Sequence, residues 1–123
     1  MRPKPIPRLL LPLLLAPVLA WAGQVEILDV QARPGGAGRY RFDVTLRHAD
    51  SGWDHYADKW QVLGPDDRVL GERILLHPHV DEQPFTRSLG GVAVPDGIPA
   101  VRIRAHDSVH GWARRQYRVE LPR

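Results

Sequence analysis

The chain has 123 residues, of which 43% are hydrophobic and 25% charged, the balance of a globular protein rather than a disordered or fibrous one. It contains no cysteine, and its single methionine is the initiator, so disulfide scaffolds, thiolate metal sites and cysteine nucleophiles are excluded. The formal net charge is +3, and the position of that charge decides whether nucleic-acid binding is a reasonable expectation.

The first 22 residues have the pattern of an export signal. Arg2, Lys4 and Arg8 form a positively charged start, and an apolar stretch follows over 9–19. The Ala-Trp-Ala sequence at 20–22 supplies the small residues that signal peptidase requires. Because a bilayer span takes about 20 apolar residues, this stretch is too short to be a transmembrane helix.

The mature protein is predicted to begin after this signal. We therefore predict a cleaved signal peptide over 1–22 and a periplasmic domain over 23–123 without a membrane span. No cysteine follows the apolar stretch, so a lipid anchor on an N-terminal cysteine is not expected. Removing the signal takes three of the 17 basic residues and leaves 14, which equals the number of acidic residues. Nucleic-acid binding needs a concentrated basic surface, so nucleic acid is not an expected partner.

The mature part is predicted to consist of short strands. In chain order the seven predicted strands, A to G, cover 24–32, 39–47, 57–64, 69–76, 85–94, 101–105 and 117–121. Strands B, F and G alternate strictly between apolar and polar residues, as half-buried strands do. Seven short strands in about 100 residues are typical of a two-sheet sandwich of the immunoglobulin or fibronectin type III kind, and Trp60 on strand C is expected in its core.

Successive strands of such a sandwich run antiparallel, so alternate loops lie at the same end. Turns rich in Pro, Gly and Asp connect A to B, C to D and E to F. The other three connections, which share the opposite end, contain all six histidines. We call these connections the BC loop (48–56), the DE loop (77–84) and the FG loop (106–112). The sequence therefore predicts that imidazoles from three distant segments converge at one end.

Histidines and carboxylates together indicate a site for a divalent transition metal. Neutral imidazole is the commonest ligand, and a carboxylate either completes the ligand set or accepts the second ring N–H. The expected ion is Cu²⁺ or Zn²⁺, with Fe²⁺ or Ni²⁺ as alternatives. The mature chain lacks Cys and Met, so a Cu(I) site is not expected. No phosphate loop, dinucleotide fingerprint or nucleophile elbow is present, which favours metal binding, delivery or sensing over catalysis.

The candidate residues follow from their place in the loops. In order of preference the candidate ligands are His55, His110, His79, His48, His77 and His106. The last has the lowest rank because it continues the face of strand F that carries Arg102 and Arg104. Asp54 and Asp107 are the candidate carboxylates that orient the rings.

Simpler interpretations of single histidines stay open. His48 has the inward parity of strand B and could be a core-edge residue bonded to a backbone carbonyl. The rings of His77 and His79 could likewise cap backbone groups of an ordinary loop.

Recognition of a partner is the alternative function. Trp53, Tyr56 and Trp112 lie on the same loops and could form an aromatic surface that binds another periplasmic protein or a glycan. The two functions differ in geometry. A metal site needs at least three imidazole nitrogens able to come within about 3–3.5 Å of each other, whereas a recognition surface would spread the histidines around its rim.

Two family resemblances accompany these motifs. The segments HADSGWDHYADKW (48–60), HPHVDEQPFTRS (77–88) and AHDSVHGW (105–112) resemble an uncharacterised family of small exported bacterial proteins. The chain is also similar to superoxide reductases of the desulfoferrodoxin type, whose immunoglobulin-like domain holds iron with four histidines and one cysteine. That family has a histidine pair before a Trp-bearing strand and a late Cys-x-x-His-Gly motif.

Only some of the iron ligands of the superoxide reductases have a counterpart in this chain. His48 and His55 precede Trp60, although the family's pair is one residue closer, and Asp107 replaces the Cys three residues before His110. The resemblance thus implies His48, His55 and His110 as ligands, with Asp107 as an oxygen ligand or hydrogen-bond acceptor. An Asp does not replace the electron donation of the thiolate, so reductase activity ranks below metal binding and recognition.

Overall fold

A computed structural model describes residues 2–5 and 23–123. In this part of the chain the strands are β1 (Glu26–Pro34), β2 (Arg39–Arg47), β3 (Ala57–Leu63), β4 (Val69–Ile74), β5 (Phe85–Ala93), β6 (Ala100–Asp107), β7 (Gly111–Trp112) and β8 (Tyr117–Glu120). A short 3-10 turn covers Pro65–Asp67. Among the described residues, no helix combines the length and apolar character that a membrane crossing requires. The predicted cleavage site and apolar stretch lie outside the described residues, so the signal peptide stays a prediction.

The strands form two packed antiparallel sheets. The smaller sheet has the order β1-β2-β5, and the larger sheet runs β4-β3-β6. Beyond β6, β7 pairs with one end of this strand and β8 pairs with the other. The predicted all-β two-sheet sandwich is therefore confirmed, and all seven predicted strands are present. The two-residue β7 is an additional strand that the sequence did not predict, and the immunoglobulin or fibronectin type III class stays a prediction.

The core lies between the sheets and explains how two polar residues become buried. In β2, Phe42 and Leu46 are fully buried, and Ile103 in β6 is fully buried as well. Side chains two positions apart share a face of a strand, so the inward series of β2 continues to His48 and that of β6 continues to Asp107. Both are buried at the same end of the core, with relative exposures of 3% and 0%. The prediction that Trp60 is buried is also confirmed.

Hydrogen bonds join the three histidine-bearing loops at this end. The backbone N–H of Ser108 in the FG loop donates to the carbonyl of Tyr56 in the BC loop at 3.0 Å, and the Ser108 Oγ accepts from the Tyr56 N–H. The DE loop is attached by the Gln83 side chain, which accepts from the His48 N–H at 3.0 Å. The loops therefore form one connected structure around the ends of β2 and β6.

Candidate metal centre

Asp107 occupies the middle of the candidate site. Its Oδ1 accepts the backbone N–H groups of Val109 at 2.9 Å and His110 at 2.8 Å, so it shapes the FG loop. The same oxygen lies 3.1 Å from Nε2 of His55 and 3.1 Å from Nδ1 of His110. Its Oδ2 is buried and has no hydrogen-bond partner among the described residues. Four contacts thus use one oxygen of this carboxylate, and the other oxygen is available to bind a further group.

The environment keeps Asp107 charged. Burial by itself would raise the pKa of this carboxyl. The backbone N–H groups of His110 and Val109, together with the His110 ring, outweigh burial and hold the pKa of Asp107 below its ordinary value. A buried anionic oxygen without a partner is costly, and a cation is the natural group to compensate it.

His48 is oriented by a second buried carboxylate. Its ring is fully buried, with Nδ1 2.5 Å from Oδ1 of Asp50 and Nε2 2.7 Å from the carbonyl oxygen of Gly23. Asp50 also accepts the backbone N–H groups of Ala57 at 2.9 Å and His79 at 2.8 Å. A carboxylate on one ring nitrogen commonly directs the other nitrogen toward a metal, which makes Nε2 the candidate ligand atom of His48.

Two histidines and one aspartate form a group that could hold a metal ion, in place of the three imidazoles that the sequence predicted. His48, His55 and Asp107 each offer one ligand atom, and these atoms lie within 4.8 Å of one another. The ring centroids of His55 and His48 are 4.8 Å apart, and those of His55 and His110 are 4.9 Å apart. Ligands of one Zn²⁺ ion lie about 3–3.5 Å apart, so the group must contract by about 1–2 Å to hold an ion. The side chains of His55 and His110 are 25% and 35% exposed. This exposure allows both rings to change position and gives an ion access to the site from solvent.

The DE-loop histidines lie apart from this group. The buried ring of His79 stacks on Phe85 at 3.9 Å, and its Nε2 lies 2.9 Å from a guanidinium nitrogen of Arg87. Because arginine can only donate, Nε2 accepts and the ring proton is on Nδ1, which has no hydrogen-bond partner in the described part of the chain. His77 is exposed, and its Nδ1 lies 3.0 Å from the carbonyl of Pro78. This matches the simpler interpretation of His77 as a loop residue next to a backbone group.

His106 is on the opposite face of β6 from Asp107. Its Nδ1 lies 2.6 Å from Oδ1 of Asp58, and its ring packs edge-on against Trp112 at 4.9 Å. Strand parity puts adjacent residues on opposite faces, which is the physical reason that His106 points away from the core. The structure thus gathers three of the six candidate histidines, His48, His55 and His110, around Asp107 and places the other three elsewhere.

The carboxylates differ in part from those predicted. Asp107 is central, whereas Asp54 is exposed and meets the FG loop through its backbone carbonyl, which accepts from Ser108 Oγ at 3.4 Å. The carboxylate that orients a ring is Asp50, which sequence reasoning missed as a site residue. A signal was present, since Asp50 continues the inward series of β2 two positions beyond His48.

The aromatic candidates fall into two groups. Trp53 is 67% exposed and packs against Tyr56 with a centroid distance of 5.5 Å. Trp112 instead packs beside His106, with the Arg104 guanidinium 4.0 Å from its ring centroid. Only Trp53 presents a largely free aromatic surface.

The environment of His79 predicts a pH dependence of stability. Burial, followed by repulsion from Arg87 and His77, holds the pKa of His79 below its ordinary value of 6.5. Below pH 6.5 the unfolded chain therefore binds a proton at this residue that the folded chain does not bind. The contribution of His79 to the free energy of unfolding is complete above pH 6.5 and decreases as the pH falls below that value. A His79→Phe variant can still stack on Phe85 but cannot bind this proton. When the pH is lowered from about 7.5 to about 5.5, it should lose less free energy of unfolding than the wild type. An equal loss in both proteins would contradict this assignment.

Comparison with known proteins finds one curated relative at significant similarity. A protein of Halomicrobium mukohataei named "Putative lipoprotein" is 43% identical over 89 residues, which are 72% of this chain and 43% of that protein. This chain thus spans less than half the length of that relative. No family model and no solved structure matches the chain. The similarity to superoxide reductases finds no support in these comparisons.

Proposed function

We propose that this protein is an exported, periplasmic protein that holds one divalent transition-metal ion, Cu²⁺ or Zn²⁺ with Fe²⁺ or Ni²⁺ as alternatives. The ligands are His48, His55 and Asp107, with His110 as the nearest further imidazole. The ion would be bound for delivery or sensing. Two nitrogens and one oxygen, with no sulfur, form a donor set that suits these ions.

One observation carries this proposal. The Oδ2 atom of Asp107 is buried without a hydrogen-bond partner among residues 2–5 and 23–123, and Asp107 belongs to the group whose ligand atoms lie within 4.8 Å of one another. A buried charged oxygen without a hydrogen bond is costly unless a cation compensates it, which supports metal binding at this carboxylate. Partial exposure of His55 on one side of the group supports reversible loading.

Two separate observations support export. The signal-like pattern over 1–22 predicts removal of a leader, and the Halomicrobium relative is named as a lipoprotein, a class of exported protein. The absence of cysteine from the chain excludes thiolate ligands, which leaves imidazole and carboxylate as the strongest metal-binding groups.

Recognition of another exported protein is the second candidate. Each of the three loops exposes one large apolar side chain: Trp53 at 67%, Val80 at 52% and Val109 at 58%. Apolar groups at the tips of converging loops are typical of a surface that contacts a partner.

Metal analysis of the exported protein tests the proposed function. The protein is loaded with metal, and weakly bound ions are then removed. We expect mass spectrometry to find about one equivalent of Cu²⁺ or Zn²⁺ per chain. His55→Ala should weaken binding by at least about tenfold, because even orienting partners of ligands contribute this much. His106→Ala, which removes a histidine outside the group, is the matched control and should bind normally. A wild-type protein that retains no near-stoichiometric Cu, Zn, Ni or Fe would refute metal binding and favour recognition.

A further inference from the structure

The backbone of Gly23 packs directly on the candidate metal centre. Its carbonyl oxygen is 2.7 Å from Nε2 of His48. A Cβ added to Gly23 would lie 2.6 Å from Cε1 and 3.1 Å from Nε2 of the His110 ring, so only glycine fits there without displacing that ring. Gly23 therefore contacts two of the three gathered histidines.

The residues that follow hold Gly23 in this place. Val25 is buried in the core with 2% exposure, and the side chain of Gln24 accepts the backbone N–H of Arg114 at 2.9 Å. Gly23 is thus two residues from a core anchor and one residue from a hydrogen bond to the segment after β7. Its position beside the rings is a consequence of the fold.

Signal cleavage at the predicted site would change the chemistry of this glycine. Within the precursor, the Gly23 nitrogen is a peptide amide, which has no free lone pair for a metal. After cleavage behind Ala22 it becomes an α-amino group. This nitrogen is two bonds from the Cβ position, so it lies within about 5 Å of Cε1 of His110.

The carbonyl of Gly23 is also suitably placed. An amine and a carbonyl oxygen of the same terminal residue can bind one ion in a five-membered ring. This carbonyl and Nε2 of His48 are 2.7 Å apart, so they would have to separate by only about 0.3–0.8 Å to bind one ion with bonds of about 2.0–2.1 Å. Nδ1 of His48 faces Asp50 and Nε2 faces the Gly23 carbonyl, so an ion bound by Nε2 would replace the contact with this carbonyl by a shared ligand position.

We propose that the free α-amino group of Gly23, together with its carbonyl oxygen, is a ligand of the metal centre formed by His48, His55 and Asp107. This inference rests on the proposed function. It makes removal of the leader the step that completes the ligand set. The precursor would bind the ion weakly, and the processed protein would bind it tightly, so that loading is confined to the exported form.

A chemical block of the amine tests this proposal. Lys59 is the only lysine in 23–123, so in a Lys59→Arg background acetylation of amines modifies Gly23 alone. The full chain is expressed for export, and the mass of the processed protein establishes whether it begins at Gly23. Its Cu²⁺ affinity is then measured by competition before and after acetylation. We expect acetylation to weaken binding by at least about tenfold, since a ligand should contribute no less than an orienting partner does.

The outcomes separate this proposal from the proposed function. Equal affinity of the free and acetylated forms would overturn the amine ligand and leave the metal site intact. Absence of Cu²⁺ binding in both forms would overturn the proposed function itself. Processing at another residue would also overturn the amine ligand. As a direct readout, glycine labelled with nitrogen-15 should change the nitrogen coupling in the Cu²⁺ spectrum of the free form and leave that of the acetylated form unchanged.

Discussion

Asp107→Asn is expected to lower the affinity for Cu²⁺ or Zn²⁺ by at least about 100-fold while the protein still folds. An asparagine oxygen can keep accepting the backbone N–H groups of Val109 and His110, so the FG loop retains its shape. The amide NH₂ that replaces Oδ2 cannot bind a cation, and the negative charge is lost. The measurements are a metal competition titration and the unfolding midpoint of the same preparation.

Two further variants make this result specific. Asp107→Ala also removes the two loop hydrogen bonds and should lower the unfolding free energy by about 2–4 kcal/mol. Asp58→Asn changes the carboxylate beside His106 on the outer face and should leave metal affinity unchanged. If Asp107→Asn binds metal as tightly as the wild type, the buried oxygen is not a ligand and the proposed site is wrong.

Asp50→Ala is expected to cause the largest loss of stability, about 3–5 kcal/mol in the free energy of unfolding. The Asp50 carboxylate is fully buried and accepts from the His48 ring and from the N–H groups of Ala57 and His79. Its removal leaves one imidazole and two backbone donors buried without partners. Chemical denaturation followed by tryptophan fluorescence measures the change, since Trp60 is in the core.

The neighbouring aspartate in the BC loop provides the control. Asp54 is exposed, and its contact with the FG loop uses the backbone, so Asp54→Ala should change stability by less than about 0.5 kcal/mol. If Asp50→Ala and Asp54→Ala changed the free energy of unfolding by similar amounts, the buried hydrogen bonds of Asp50 would not be the source of its contribution to stability.

The sequence predicted the sandwich because its strands follow a simple physical rule. The strict alternation in 39–47 and 101–105 is visible without any structure, and one buried face on each strand leaves two packed sheets as the simplest arrangement. The same parity correctly separated His106 from the inward residues of β6. Strand β7 was missed because two residues are too few to show a period.

The identity of the site residues depended on contacts that no local pattern encodes. The parity of β2 points Asp50 inward, but the hydrogen bond that it accepts from the N–H of His79 comes from the DE loop, 29 positions away. His79 ranked third among the candidate ligands, but in the fold its ring stacks on Phe85 and faces Arg87. Gly23 could not be foreseen as a neighbour of His110, which is 87 positions away in the chain, because no short-range signal links them.

The candidate centre draws on both layers of the sandwich. His48 directly follows β2 of the smaller sheet, and Asp107 ends β6 of the larger one. An ion held by both would act as a removable cross-link, the counterpart of a disulfide in a chain that has no cysteine. Since it would bind the folded form alone, ion at 100 times its dissociation constant would add about 2.7 kcal/mol to stability. The lifetime of this domain outside the cytoplasm would then follow the supply of metal.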